Sequence, residues 1–474
     1  MGSDRRVKSV AGKLIGANTA ELRELASAFG SSSSVLDSIE NQLNSVVARA
    51  PWKGPDAADF EMNYHRFYRP KLRTAADALR TVSGQLEAQA AEQDAASDAG
   101  AGSATLAGAV KSTGDSDVAI PGPDTDPADV AEWWAKLVKD DPMAAGELVK
   151  DHPELFGNLE GIPYDIRSIA NEAQLPDMID DARAAGDDKR AEYLENVQKA
   201  LETDGSPVRQ LISLDDGPPA LAAISIGDLD SAKYSSFLVP GMGSNGETTP
   251  TDLTDAALSL WMEEHSLATH NGLDGSVAVV AWMAYDAPEM FPQSDEVFHG
   301  DRGREGGDKL ESALLGYAAT RDASGLDSYL SVVGHSYGST TAANALADLP
   351  KGVVDSFTTL GSAGLENSIG GAKDLNTTDG VFAMQGWEFG GIAGFGRTVS
   401  GRQDPTDADF GSIVLNTEVQ RVDGVDMTNS NRHDLYSGDN PWNHRGYLDH
   451  GTSSLNNTAL VNLGLGDEAV RAEN

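Results

Sequence analysis

Cysteine is absent from the 474 residues, which excludes disulfide staples, zinc–thiolate sites and a cysteine nucleophile. The absence does not settle compartment, since an exported chain can fold without disulfides. Long apolar runs are missing too: nothing approaches the ~18 residues of a membrane-spanning helix. Near the N-terminus Arg5, Arg6 and Lys8 stand without a following apolar stretch, so a Sec signal peptide is not expected. Positive charge is scarce. Against 35 lysines and arginines stand 74 acids, a formal net charge of -39. A surface that acidic repels polyanions, which excludes nucleic-acid binding as a bulk property and disfavours anionic membrane surfaces. It also favours solubility.

What is present supports folded material, with 40% hydrophobic residues and a length that implies about two or three domains. The informative stretch is Leu330 to Leu349. It opens with an apolar, β-branched run, Leu330 to Val333, that reads as a buried strand. Gly334-His335-Ser336-Tyr337-Gly338 follows, then an alanine-rich segment at helical spacing up to Pro350. A strand, a tight turn with serine at its apex and a helix make the nucleophile elbow of an α/β-hydrolase. The flanking glycines let strand and helix approach closely, and the helix start aims free N–H groups at a developing oxyanion.

Around this elbow, short apolar runs alternate with helical patterns from Ala222 onward, which predicts βα units on a mostly parallel sheet flanked by helices. The expected strands are 222–226, 235–239, 277–282, 329–333, 356–360 and 381–384. The second ends in Pro240-Gly241-Met242-Gly243-Ser244. No Gly-Lys-Ser/Thr follows it, so it is not a phosphate loop. An early glycine-flanked loop is where this fold places its second oxyanion donor, so the hole is assigned to the N–H groups of Met242 and Tyr337. Asp286 falls on the rim of the site, after the 277–282 strand.

Four regions are expected: an all-α helical hairpin at 1–97, a flexible linker at 98–127, a helical lead-in at 128–215 packing on the catalytic domain, and that domain at 216–474. The hairpin rests on apolar residues at helical spacing on either side of Pro51-Trp52-Lys53-Gly54-Pro55. The linker is rich in Gly, Ala, Ser, Asp and Pro. In the lead-in, Trp133 and Trp134 sit on a helical stripe and are expected as core anchors.

Residues 10–97, with Trp52 and Gly54 between two amphipathic helices, resemble the Trp-x-Gly helical hairpins of type VII secretion substrates. The resemblance implies a helical-hairpin partner or a homodimer through this region, since two helices cannot bury an apolar stripe alone. It also implies a secreted or cell-envelope location, with the cytoplasm as the alternative. That family's Tyr-x-x-x-Asp/Glu export signal is incomplete here, because Ala90-Ala91-Glu92-Gln93-Asp94 keeps the acid and lacks the tyrosine. Export of the chain on its own therefore does not follow from the motif. The downstream segments VPGMGS, VAVVAWMAYDAP, VVGHSYGST and TTLGSAG, behind WWAKL and HPELFGNLEGIP, resemble an actinobacterial α/β-hydrolase family.

A triad in this fold runs Ser, acid, His along the chain. The resemblance implies the base in Asn443-His444-Arg445-Gly446-Tyr447-Leu448-Asp449, hence His444, with His450 second and His433 third. It implies the acid after the 381–384 strand, where Glu388 is the available carboxylate and Asp404 the runner-up. The expectation is a serine esterase or lipase acting on a lipid or cell-envelope ester without metal or organic cofactor. A degraded triad in a secretion-associated binding protein, or a secreted effector with lipase or phospholipase activity, are the alternatives.

Overall fold

The computed structural model describes residues 120–474 apart from 204, 290–295, 297–299, 387–396, 398–399, 423, 439–444 and 473–474. Before residue 120 it describes only Arg23, Ser27, Gly30, Ser33, Arg69, Arg80 and Ser83, each of them helical. Two compact units divide the chain, Met1–Asp117 and Val118–Asn474. Those seven apart, the hairpin expected over 1–97 lies outside the described residues, as does most of the expected linker.

The second unit is built on one eight-stranded sheet. Its strands are β1 (Arg209–Asp215), β2 (Leu221–Ile226), β3 (Tyr234–Val239), β4 (Val277–Met283), β5 (Tyr329–His335), β6 (Ser356–Leu360), β7 (Gly380–Met384) and β8 (Ile413–Val414). They lie in the order β1-β2-β4-β3-β5-β6-β7-β8. β2 runs antiparallel to both β1 and β4, and every pairing from β4 through β8 is parallel. Helices cover both faces, so β2 and β4 are buried at every residue. That is why β4 reads in sequence as an unbroken apolar run and β2 as one interrupted only by Ser225, rather than as an alternation. The order and the flanking helices are those of an α/β-hydrolase fold.

Five helices precede β1 in the unit. They are α1 (Pro127–Asp140), α2 (Pro142–Asp151), α3 (Pro153–Phe156), α4 (Tyr164–Ala185) and α5 (Asp188–Leu201). Asp126 caps α1 by accepting the Ala128 N–H, with Pro127 at the first turn, where a missing N–H costs nothing. Trp134 packs edge-on to Phe156 and Trp133 stacks on the same ring, in a cluster with Val130, Leu137, Leu159 and Ile162. The tryptophans are core anchors, as their spacing implied. The lead-in is joined to the sheet by polar ties as well. Asp230, between β2 and β3, accepts the N–H groups of Tyr164 and Asp165 at the start of α4, and Asn171 of the same helix donates to Leu211 O on β1.

The boundary expected at 215/216 falls at the end of β1. β1 precedes that boundary yet pairs with β2 along its length. The helices and the sheet form one unit because the sheet's own edge strand is drawn from the lead-in.

The remaining helices are α6 (Thr249–His270), α7 (Asp301–Ser324), α8 (Tyr337–Asp348) and α9 (Ser453–Asn462). α6 and α9 contribute Leu253, Leu260, Leu455 and Leu460 to the core on one face of the sheet. α7 and α8 contribute Leu310, Leu314, Ala342 and Leu346 to the other. A short hairpin of β9 (Gln420–Val422) and β10 (Val425–Met427) follows β8. No helix among the described residues is long and apolar enough to cross a membrane.

Candidate active site

β5 delivers Ser336 at its carboxyl end, in a backbone conformation of φ 51° and ψ -121° that non-glycine residues rarely adopt. Such a residue costs about 1–3 kcal/mol and persists only where its surroundings hold it. They do so here through the main chain. The Ser336 N–H donates to Leu360 O, and its carbonyl accepts from the Ala363 N–H and the Ser339 hydroxyl. The glycines on either side make the turn possible. A Cβ on Gly338 would lie 2.2 Å from Val239 O, and one on Gly334 would lie 2.6 Å from Ser339 Cα. No side chain fits either place.

The Pro240-Gly241-Met242 loop lies against the elbow. A Cβ on Gly241 would fall 2.8 Å from Ser336 Cβ, so the backbone of 240–242 crosses directly over the nucleophile. Met242 packs on Tyr337 and Ala363. Tyr337 is the first residue of α8, and a first-turn N–H has no partner inside its own helix. The N–H groups of Met242 and Tyr337 therefore belong to two backbone segments that meet beside Ser336.

The histidine at the nucleophile is His433. Its Nε2 lies 2.8 Å from Ser336 Oγ, within the reach a general base needs. The segment bearing it is fixed from two sides. His335, the second residue of the elbow, donates from Nε2 to the His433 carbonyl at 2.6 Å. Residues 445–449 stitch the rest: the Asn431 N–H donates to Arg445 O, the Tyr447 N–H to Asp434 O and the Leu448 N–H to Leu435 O. Asp449 accepts the N–H groups of Ser437 at 2.6 Å and Gly446 at 3.0 Å. Gly361, at φ +54°, gives the ring its room, since a Cβ there would sit 3.1 Å from His433 Nδ1.

Among the described residues, His433, placed third by the sequence, is the histidine hydrogen-bonded to Ser336. The motif expected to carry the base supplies residues that hold the His433 segment, namely Arg445, Tyr447 and Asp449. His444 itself lies outside the described residues. His450 is exposed and its Nδ1 stands 3.5 Å from Ser259 Oγ on α6. Glu388, the first choice of acid, also lies outside the described residues. The runner-up Asp404 is engaged elsewhere: one oxygen pairs with Arg397 at 2.9 Å and the other accepts the Thr406 N–H and hydroxyl. Among the described residues, no three His, Asp or Glu side chains are arranged to hold a metal ion.

A polar cavity of about 590 Å³ opens nearby, lined by Arg397, Arg402, Asp404, Asp407 and Phe410 among others. Arg402 lies over the Tyr337 ring at 4.9 Å. Burial dominates the Tyr337 phenol and raises its pKa, with Arg402 acting in the opposite direction.

Comparison with known proteins agrees with this architecture. Two uncharacterized proteins of Mycobacterium tuberculosis strains are 29% identical over 402 residues, covering 74% of this chain and 57% of their own length. An uncharacterized Mycobacterium bovis protein is 30% identical over 145 residues, covering 30% of this chain and 53% of its own. This chain thus spans just over half the length of the curated relatives it matches. Residues 215–388, which hold the sheet from the end of β1 to the loop after β7, match a family model described as alpha/beta hydrolase, so the part of the chain built around Ser336 is similar to that family and has the α/β-hydrolase fold.

Proposed function

We propose that the protein is a serine hydrolase that cleaves carboxylic esters through an acyl-enzyme. The observation that carries this reading is the 2.8 Å contact between His433 Nε2 and Ser336 Oγ. Ser336 Oγ attacks the ester carbonyl carbon while its proton passes to His433 Nε2. The carbonyl oxygen, now negative, accepts from the N–H groups of Tyr337 and Met242. Collapse breaks the bond to the leaving alkoxide, which takes the proton from His433. Water, deprotonated by the same imidazole, then releases the acid and frees Ser336.

Glu388 is the proposed acid that orients His433, because Ser336, Glu388 and His433 keep the chain order of the fold and Asp404 is committed to Arg397. The acid's role is to hold the imidazole tautomer and to stabilise the imidazolium. The Trp52–Gly54 segment supports a secreted or envelope setting, hence a lipid or cell-envelope acyl ester as substrate and a helical-hairpin partner for residues 10–97.

Labelling with a fluorophosphonate probe tests the reading. Wild type and His444→Ala are expected to label and to hydrolyse short-chain esters. Ser336→Ala should do neither, and His433→Ala should lose turnover by about 10⁴-fold or more, the scale set by triad deletions elsewhere. Full labelling of the Ser336→Ala protein, or undiminished turnover in His433→Ala, would overturn it.

A further inference from the structure

We infer that Asn245 and Asp286 are positioning residues that hold the Met242 N–H in the oxyanion hole, an inference that rests on the serine-hydrolase reading above. Met242 stands between Gly241 and Gly243, the latter at φ +74°. Glycine on both sides gives the close approach to Ser336 but leaves the segment little rigidity of its own. An oxyanion donor is effective only when its direction is fixed before charge develops. The fixing must come from outside the loop.

It comes from the residues that leave β4. Tyr285-Asp286-Ala287-Pro288 runs beside 240–245 and holds it at both ends and in the middle. At the start, the buried Tyr285 hydroxyl donates to Pro240 O at 2.7 Å. In the middle, the Gly243 N–H donates to Pro288 O at 2.9 Å. At the end, Asn245 Nδ2 donates both to Asp286 Oδ1 at 2.7 Å and to Ala287 O at 2.9 Å. Asp286 is held in turn, because its second oxygen is bound by Arg302, whose other nitrogen reaches Glu296 at 3.1 Å. A carboxylate fixed from behind by a cation thus aims its free oxygen at the amide that closes the loop. Asp286, visible in the sequence only as a rim residue, acts on the reaction through Asn245.

The test is ester turnover by the full chain, read together with binding of an aryl trifluoromethyl ketone, whose serine adduct carries the oxyanion. In Asn245→Ala and Asp286→Ala, kcat and ketone affinity should fall together by about 10- to 100-fold while KM changes little, as for a misplaced rather than missing donor. The double variant should cost no more than the worse single one. Asp286→Asn, whose amide must set an N–H against either Asn245 Nδ2 or Arg302, should recover little of the loss. If Asp286→Ala does not fold, Asn245→Ala decides. Unchanged kcat and ketone affinity in a folded Asn245→Ala protein would overturn the inference. Amide exchange of residues 241–245 separates this from failure of the hydrolase reading. Should wild type neither label nor turn over esters, faster exchange in the variants still upholds the clamp, and unchanged exchange overturns it.

Discussion

Glu264 offers a quantitative test of the packing behind the active site. It lies on α6 with no exposed surface, its Oε1 accepting from Asn462 Nδ2 at 2.7 Å and from the Ser236 hydroxyl at 3.2 Å. Burial outweighs both hydrogen bonds and pushes its pKa up to about 8 from 4.5. Two acceptors of the same pair, Glu264 Oε2 and Asn462 Oδ1, are buried without a donor. One proton on Oε2 supplies the donor that this pair lacks, so the acid is neutral at pH 7 and ties α6 to α9.

The sign of the pH dependence follows. Between 4.5 and about 8 the folded protein keeps a proton that the unfolded chain has lost, so stability declines as pH rises through that window and levels off above it. At about 1.4 kcal/mol per pH unit the interval amounts to roughly 5 kcal/mol in the limit, and roughly 3 by pH 7. Glu264→Gln places a neutral amide where the neutral acid was, accepting from Asn462 Nδ2 and donating to its Oδ1. Urea unfolding at pH 5, 7 and 9 should give matching stabilities for the two proteins at pH 5. Wild type should then fall below the variant by a few kcal/mol at pH 9. Parallel stability profiles across that range would show that Glu264 is charged in the folded protein and refute the argument.

The remaining predictions concern the triad and its supports. Glu388→Gln should lower turnover by about 10³- to 10⁴-fold, whereas Asp404→Asn should change it only a few-fold; steady-state kinetics of the pair checks the assignment of the acid. In Asp449→Asn an amide hydrogen faces one of the two N–H groups the carboxylate accepts, so stability should fall by about 2 kcal/mol and turnover with it as the His433 segment loosens. Trp134→Ala empties the centre of the lead-in cluster and should cost about 3–5 kcal/mol in denaturant melts, with no change in the labelling chemistry of the protein that remains folded.

The strands around the nucleophile were legible because a parallel strand covered on both faces is built mainly of apolar residues, and β3 to β7 are rich in them, with serine and threonine the polar residues they admit outside the elbow. β1 escaped notice since its ladder reads Arg209-Gln210-Leu211-Ile212-Ser213-Leu214-Asp215, polar at both ends and interrupted by a register shift at Leu211/Ser213. β8 has two residues, too few for any pattern. The elbow was legible because its glycines answer to a local steric demand that the pentapeptide itself displays. The base was not. Loop histidines differ by what lies across from them, and the hydrogen bonds between 431–437 and 445–449 join segments that sequence order leaves apart. One signal could have been read further. Leu260, Glu264 and Ala268 stand four residues apart on one face of α6, so an acid falls in phase with an apolar stripe. A carboxyl in that phase is buried by the helix it belongs to. It must then pair with a cation or keep its proton, and no Lys, Arg or His is among the groups that set its pKa.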